Sequence, residues 1–302
     1  MFSRSSAIAL AICCLLLSGK ILADTIHVAG ASNFINALRQ LAESYSKNTA
    51  HEFRISTAST GKLFAQIRHG APFHLFFAAD ARRPELLVES GDAVADSLST
   101  YAIGRLVLWQ PMGAEEILED QRQETTPTVV SCREIPVSSD VPPETAAAQS
   151  GARVPQDDET ASCIRDAIAQ ILTNTSGPLA MANPKTAPYG EAAEETLRSL
   201  GLWEALQSRL VRGENIGQTY QFVASGAAPM GFVALSQIRG RTSENHTGKE
   251  LFWIVPASLH TPMRQQVVLL KSAAAHSAAR GFLAFLHTAE AREIIRSQGY
   301  GL

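Results

Sequence analysis

Short apolar runs of strand length alternate with helix-length amphipathic stretches along most of this 302-residue chain, and that alternation restricts it to an α/β architecture. The strand-like runs are TIHVA (25–29), HLFFAA (74–79), GRLVLW (104–109), PLAMAN (178–183), MGFVAL (230–235), LFWIV (251–255) and QVVLLK (266–271). Helical patterns fall at 33–46, 61–69, 84–90, 190–200, 216–225 and 278–298. In the first of these, Phe34, Leu38, Leu41 and Tyr45 recur at the spacing of a single apolar stripe. No internal repeat is evident.

The length allows one large or two medium domains, and 45% hydrophobic with 18% charged residues is an ordinary globular composition. A net charge of −3 supplies no basic field for nucleic acid or anionic lipid. Residues 1–23 are expected to be an export signal outside the fold. Arg4 precedes an apolar run from Ala7 to Leu17, and Ile21-Leu22-Ala23 offers a small-residue cleavage site before Asp24. The run is shorter than the roughly 18 to 20 apolar residues of a membrane span. The mature chain is therefore expected to be soluble and outside the cytosol. Bulky Ile12 and the apolar residues that follow argue against Cys13 as a lipid-anchor site.

Glu115 to Gly177 breaks the rhythm, being rich in Pro, Ser, Thr, Asp and Glu. It is expected to be a long surface insertion with a helix from Cys163 to Leu172. Cys132 and Cys163 are the two cysteines left after export. Paired in an oxidising compartment, they would close the insertion near its feet and stabilise by about 3 to 4 kcal/mol; the alternative is two unpaired thiols.

Four strand-to-helix junctions share one grammar. Ser32 and Asn33 open the first helical pattern. Ser59, Thr60 and Gly61 open the second, Pro188, Tyr189 and Gly190 the third, and Asn215, Ile216 and Gly217 the fourth. A helix N-terminus carries unpaired N–H groups and a partial charge of roughly +0.5, so four converging ends offer about +2 to an anion without any Lys or Arg. Ser, Thr and Asn are also ordinary N-caps, so each junction taken alone is equally a structural feature.

The stretches VAGASNF, ASTGKLFAQIRHGAPFHLFFAAD, YAIGRLVLW, NPKTAPYG, GFVALSQI and GFLAFLHTAEAREIIRSQGYGL occur in this order. Together they resemble the periplasmic molybdate-binding proteins, the substrate-binding components of ABC transporters for molybdate and tungstate. The resemblance covers nearly all of the mature chain apart from the insertion, and Ala58 to Asp80 is its most specific part. It implies an α/β, two-lobed periplasmic binding protein fold of type II, in which each lobe is a mixed β-sheet flanked by helices. Lobe I would comprise 24–106 plus 265–302, and lobe II 107–264 with the insertion at about 115–177. The two crossover segments would lie near Leu106 to Trp109 and near Gln265 to Leu270.

The resemblance also implies a site. Ser32, Asn33, Ser59 and Thr60 would hold the oxyanion, joined by Tyr189 and Ile216 mainly through backbone amides. The ligand would be molybdate or tungstate, with no cofactor and no cation ligands. The partner would be an inner-membrane ABC permease, and the protein a periplasmic monomer that catalyses nothing. Two positions depart from the pattern: Thr60 stands where many relatives have serine, and Ala234 where some have a tyrosine that contacts the anion.

Other signals are weaker. Ser59 to Lys62 matches S-x-x-K and Lys185-Thr186-Ala187 approaches K-T-G, the marks of exported serine acylases. Pro188 and a helix follow Lys185, however, and no S-D-N element is present. A sensor that reports the anion to a signalling partner is the other alternative. The eight histidines show no metal-ligand spacing.

Overall fold

The computed structural model describes residues 23–111, 158–239 and 251–302. Two five-stranded sheets carry the fold. In the first, β1 (Thr25–Ala31) lies between β2 (Glu52–Ala58) and β3 (Leu75–Phe77), both parallel to it. β10 (Arg264–Leu269) runs antiparallel to β3 and to β4 (Ser99–Ile103), giving the order β2-β1-β3-β10-β4. In the second, β6 (Leu179–Ala182) lies between β7 (Leu210–Gly213) and β8 (Met230–Ala234), again both parallel. β5 (Leu106–Gln110) runs antiparallel to β8 and to β9 (Leu251–Ile254), giving β7-β6-β8-β5-β9. The two sheets thus share one plan: three parallel strands in the order second, first, third, then an antiparallel strand received from the other lobe. This repeat of connectivity has no counterpart in the sequence pattern.

The chain passes between sheets twice, through Gly104 and Arg105 and through residues 255–263. Both passages precede the expected ones by a few residues. Leu106 to Trp109 already pair with β8, and Gln265 to Leu269 already lie in β10.

Strand alternation sends apolar side chains to both faces of each sheet. In lobe I, Ile26, Val28, Val267 and Leu269 meet Leu38 and Leu41 of α1 (Ile35–Thr49), Phe282 of α9 (Ser277–Phe285) and Ile295 of α10 (Ala289–Ser297). On the opposite face, Ala29, Phe76 and Val268 meet Leu63 of α2 (Thr60–Arg68) and Leu87 of α3 (Arg82–Glu89). The single helix expected at 278–298 is two, because the Thr288 hydroxyl accepts from Ala291 N at 3.2 Å and starts a new helix.

In lobe II, Leu106, Leu179 and Phe232 pack against Leu197 of α5 (Pro188–Ser199) and Trp203 of α6 (Trp203–Leu206). Ile168 and Leu172 of α4 (Asp158–Asn174) join the same cluster, both fully buried. The final third of the expected surface insertion therefore anchors to the core through these two residues, and its helix is longer at both ends than Cys163 to Leu172. Val107, Trp109 and Val233 face Val223 of α7 (Ile216–Ala224) and Ile238 of α8 (Leu235–Arg239). Among the described residues no helix is long and apolar enough to cross a membrane.

Candidate functional site

Ligands of open α/β sheets sit beyond the carboxyl ends of parallel strands. Here four such ends, those of β1, β2, β6 and β7, lead into the four singled-out helix starts. One small cavity gathers them: Ala31, Ser32 and Asn33 after β1, Ala58, Ser59 and Thr60 after β2, Ala79, and from lobe II Ala187, Pro188, Tyr189 and Ile216. All six sequence-proposed binding residues line it. Its empty space is about 180 Å3 counted with its open mouth. Its size suits an ion.

Three of the four helix starts lack a side-chain cap. Ser32–Phe34 form a single 3₁₀ turn after Ala31 with no capping bond, and α2 and α5 likewise begin after Ser59 and Ala187 without one. The expectation that Ser32 and Asn33 cap their helix is thus not met. The Ser32 hydroxyl instead accepts from Gly217 N across the cleft at 3.4 Å. The fourth start differs: Asn215 Oδ1 caps α7 by accepting from Gln218 N at 3.0 Å, so Ile216 N–H is the amide that start leaves for a ligand.

The hydroxyls of α2 are poised differently from each other. Ser59 is 2% exposed, and its Oγ has no hydrogen-bond partner among the described residues. Thr60 Oγ1 accepts from Ala79 N at 3.1 Å, which leaves its own proton to donate into the cavity. Asn33 is the larger surprise. Its side-chain amide turns away, donating to Gln265 Oε1 at 2.9 Å and to the Tyr300 hydroxyl at 3.2 Å. What Asn33 can offer a ligand is therefore its backbone N–H.

A Cβ at Gly190 would stand 2.3 Å from Ala182 O, so glycine permits α5 to start hard against the end of β6. Behind the cavity, Gln265 Oε1 accepts from Tyr101 OH at 3.0 Å, and its Nε2 donates to Tyr189 OH at 3.2 Å. Burial raises both phenols well above the usual tyrosine range, so they stay neutral.

None of the lining side chains is charged. Two ion pairs lie on the elements that bear the site, Asp80 with Arg83 and Lys62 with Glu214 across the cleft. Lys62 is therefore a half-exposed side chain held in an ion pair, without the serine-activating role that S-x-x-K would give it. The arrangement provides hydroxyl and amide donors and helix dipoles, a site for a small anion bound without a counter-ion. Among the described residues no group of three or more His, Cys, Asp or Glu is placed to hold a metal ion.

A pattern for bacterial extracellular solute-binding proteins matches residues 26–301. The chain belongs to that family. Among solute-binding proteins, it is 36% identical over 278 residues to the molybdate-binding protein ModA of Rhodobacter capsulatus, covering 92% of this chain and 88% of that one. It is 36% identical over 281 residues to ModA of Azotobacter vinelandii, with 93% and 91% covered. The solved periplasmic molybdate-binding protein of Azotobacter vinelandii superposes with a TM-score of 0.68 at 33% identity, over 92% of this chain and 99% of that one. As a solute-binding protein, the chain is not an enzyme.

Sequence reasoning missed the residues behind the cavity. Gln265, Tyr101, Tyr300 and Ser236 are polar and buried, and they meet Asn33 or one another over separations of 64 to 267 residues. No local pattern signals them.

Proposed function

We propose that this chain binds molybdate between its lobes and delivers it to the permease of an ABC transporter, with tungstate taken by the same donors. The buried, unpartnered Ser59 hydroxyl in a charge-free cavity walled by uncapped helix starts from both lobes carries this reading. The relatives at 36% identity are named for molybdate. Ser32, Ser59 and Thr60 donate through hydroxyls, and Asn33, Tyr189 and Ile216 through backbone amides. Each charge-assisted bond contributes about 1.5 to 3 kcal/mol. A larger tetrahedral oxyanion reaches all the fixed donors, whereas sulfate leaves some short. Phosphate that keeps a proton needs an acceptor, and a pocket arranged for donors has none at a fitted position.

In this reading lobe I (24–106 plus 265–302) and lobe II (107–264) close because the anion meets both only in the closed state, and the permease recognises that state. The protein works as a periplasmic monomer after removal of 1–23. Cys163 of α4 is engaged in a disulfide, and we assign Cys132, outside the described residues, as its partner. The segments 1–22 and 112–157 also lie outside the described residues.

Replacing Ser32 and Thr60 together by Ala tests the pocket. Titration with molybdate should show affinity weakened about a hundredfold or more, since two charge-assisted donors are lost, with cooperative unfolding retained. Unchanged affinity would place the site elsewhere.

A further inference from the structure

Tyr300 lies two residues before the last residue of the sequence, yet it is buried at 5% exposure. Three features bring it inward. Gly299, at φ +85°, turns the chain after α10. Gly301 then exchanges both backbone bonds with Ile103, at 2.8 and 3.0 Å, at the end of β4 and one residue before the passage into lobe II. The Tyr300 ring stands edge-on against Phe34, with centroids 5.3 Å apart. The tail is thus clipped to lobe I at the hinge.

The phenol oxygen meets both lobes. It lies 2.8 Å from Asn33 O and accepts from Asn33 Nδ2 at 3.2 Å, both in lobe I, and it lies 2.9 Å from Ser236 Oγ of α8 in lobe II. Ser236 is buried, and its hydroxyl donates to Asn33 O at 3.1 Å. The protons close into a ring: Asn33 Nδ2 donates to Tyr300, Tyr300 to Ser236, and Ser236 to Asn33 O. Each hydroxyl donates once and accepts once. Separation of the lobes breaks both bonds that involve Ser236 and leaves the phenol with its Asn33 contacts alone, the carbonyl at 2.8 Å and Nδ2 at 3.2 Å, all within lobe I.

We propose that Tyr300 is a positioning residue that latches the lobes over the anion: its hydroxyl, through Ser236, holds the closed form and fixes the backbone of Asn33. The inference rests on the oxyanion reading of the site. Its consequence is kinetic. Capture occurs before the ring forms, whereas release must break it, so the latch acts on dissociation.

The test compares wild type with Tyr300→Phe, which keeps the ring packing and removes one oxygen, and with Ser236→Ala, which breaks the same bridge from the other lobe. Stopped-flow binding and displacement with molybdate should show dissociation faster by about tenfold in each variant, association unchanged within twofold, and the double variant no worse than either single one. Wild-type release rates in Tyr300→Phe, or additive effects in the double variant, would overturn the latch while leaving molybdate binding intact. A loss of thermal stability in ligand-free Tyr300→Phe with unchanged release would do the same, by making Tyr300 merely structural. Failure of the wild type itself to bind molybdate would overturn the oxyanion reading, and the latch with it.

Discussion

Ser59 holds a buried hydroxyl with no partner among the described residues, beside Thr60, whose own hydroxyl is half used by Ala79. Leaving such a group unpaired costs about 1–3 kcal/mol, which is compensated once a ligand oxygen accepts from it. Ser59→Ala should therefore separate stability from binding: the ligand-free protein melts at the same or a higher temperature, while the dissociation constant for molybdate rises about tenfold. A lower melting temperature with unchanged affinity would make Ser59 a structural residue. The residue types of the site were legible because hydroxyl, amide and glycine at a helix entrance have few uses. Their individual tasks were not. Asn33 has only its peptide N–H to offer a ligand, because its side chain is taken up by Gln265 and Tyr300, more than 230 residues away. Gly190 is there for close approach to Ala182.

Strands buried on both faces reveal themselves as continuous apolar runs, and all six interior strands, three in each sheet, were anticipated in this way. The three that escaped notice, β2, β4 and β7, are edge strands. β2 alternates exposed and half-buried positions along EFRISTA, and β7 is only four residues long, so neither presents an apolar run. At the start of β1 and β3 the elements also meet through histidines. His74 Nδ1 accepts from His27 N at 3.2 Å, and the His74 ring lies 4.1 Å from that of His276, which caps α9. Burial, then the charges of His276 and His27, hold His74 below its ordinary value of 6.5, with Asp24 opposing. A folded-state value below the unfolded one means the unfolded chain binds the proton first as pH falls. The stability this group supplies is thus complete above pH 6.5 and is lost as pH falls below it, toward the depressed folded-state value. Thermal melts from pH 8 to 5 should show this decline, and His74→Gln should flatten it; parallel curves for the two proteins would contradict the assignment.

Two sheets of the same connectivity, each having received a strand from the other, place the carboxyl ends of β1 and β2 opposite those of β6 and β7. That arrangement brings four ordinary helix starts to one cavity, and no single stretch of sequence expresses it. Contacts across the cleft are of two kinds: Ala31 and Ala79 of lobe I pack in one cluster with Tyr189 and Ile216 of lobe II, and polar bonds join Gln265 Nε2 to Tyr189 OH, Gly61 N to Thr186 O at 2.9 Å and Gly217 N to Ser32 Oγ, with Lys62 paired to Glu214 at the surface, where such a pair contributes about 1 kcal/mol or less. To these contacts the closed form adds the buried ring around Tyr300.

We propose that selection of molybdate follows from a charge-free, donor-only pocket. Isothermal titration of the mature protein with molybdate, tungstate, sulfate and phosphate, at one salt concentration and at pH 6.5, 7.5 and 8.5, tests it directly. Because the lining has no ionising side chain apart from a buried phenol pushed far upward, molybdate and tungstate should bind tightly with affinities that do not change across this range, and sulfate and phosphate should give little heat. Sulfate or phosphate binding as tightly as molybdate would contradict the account.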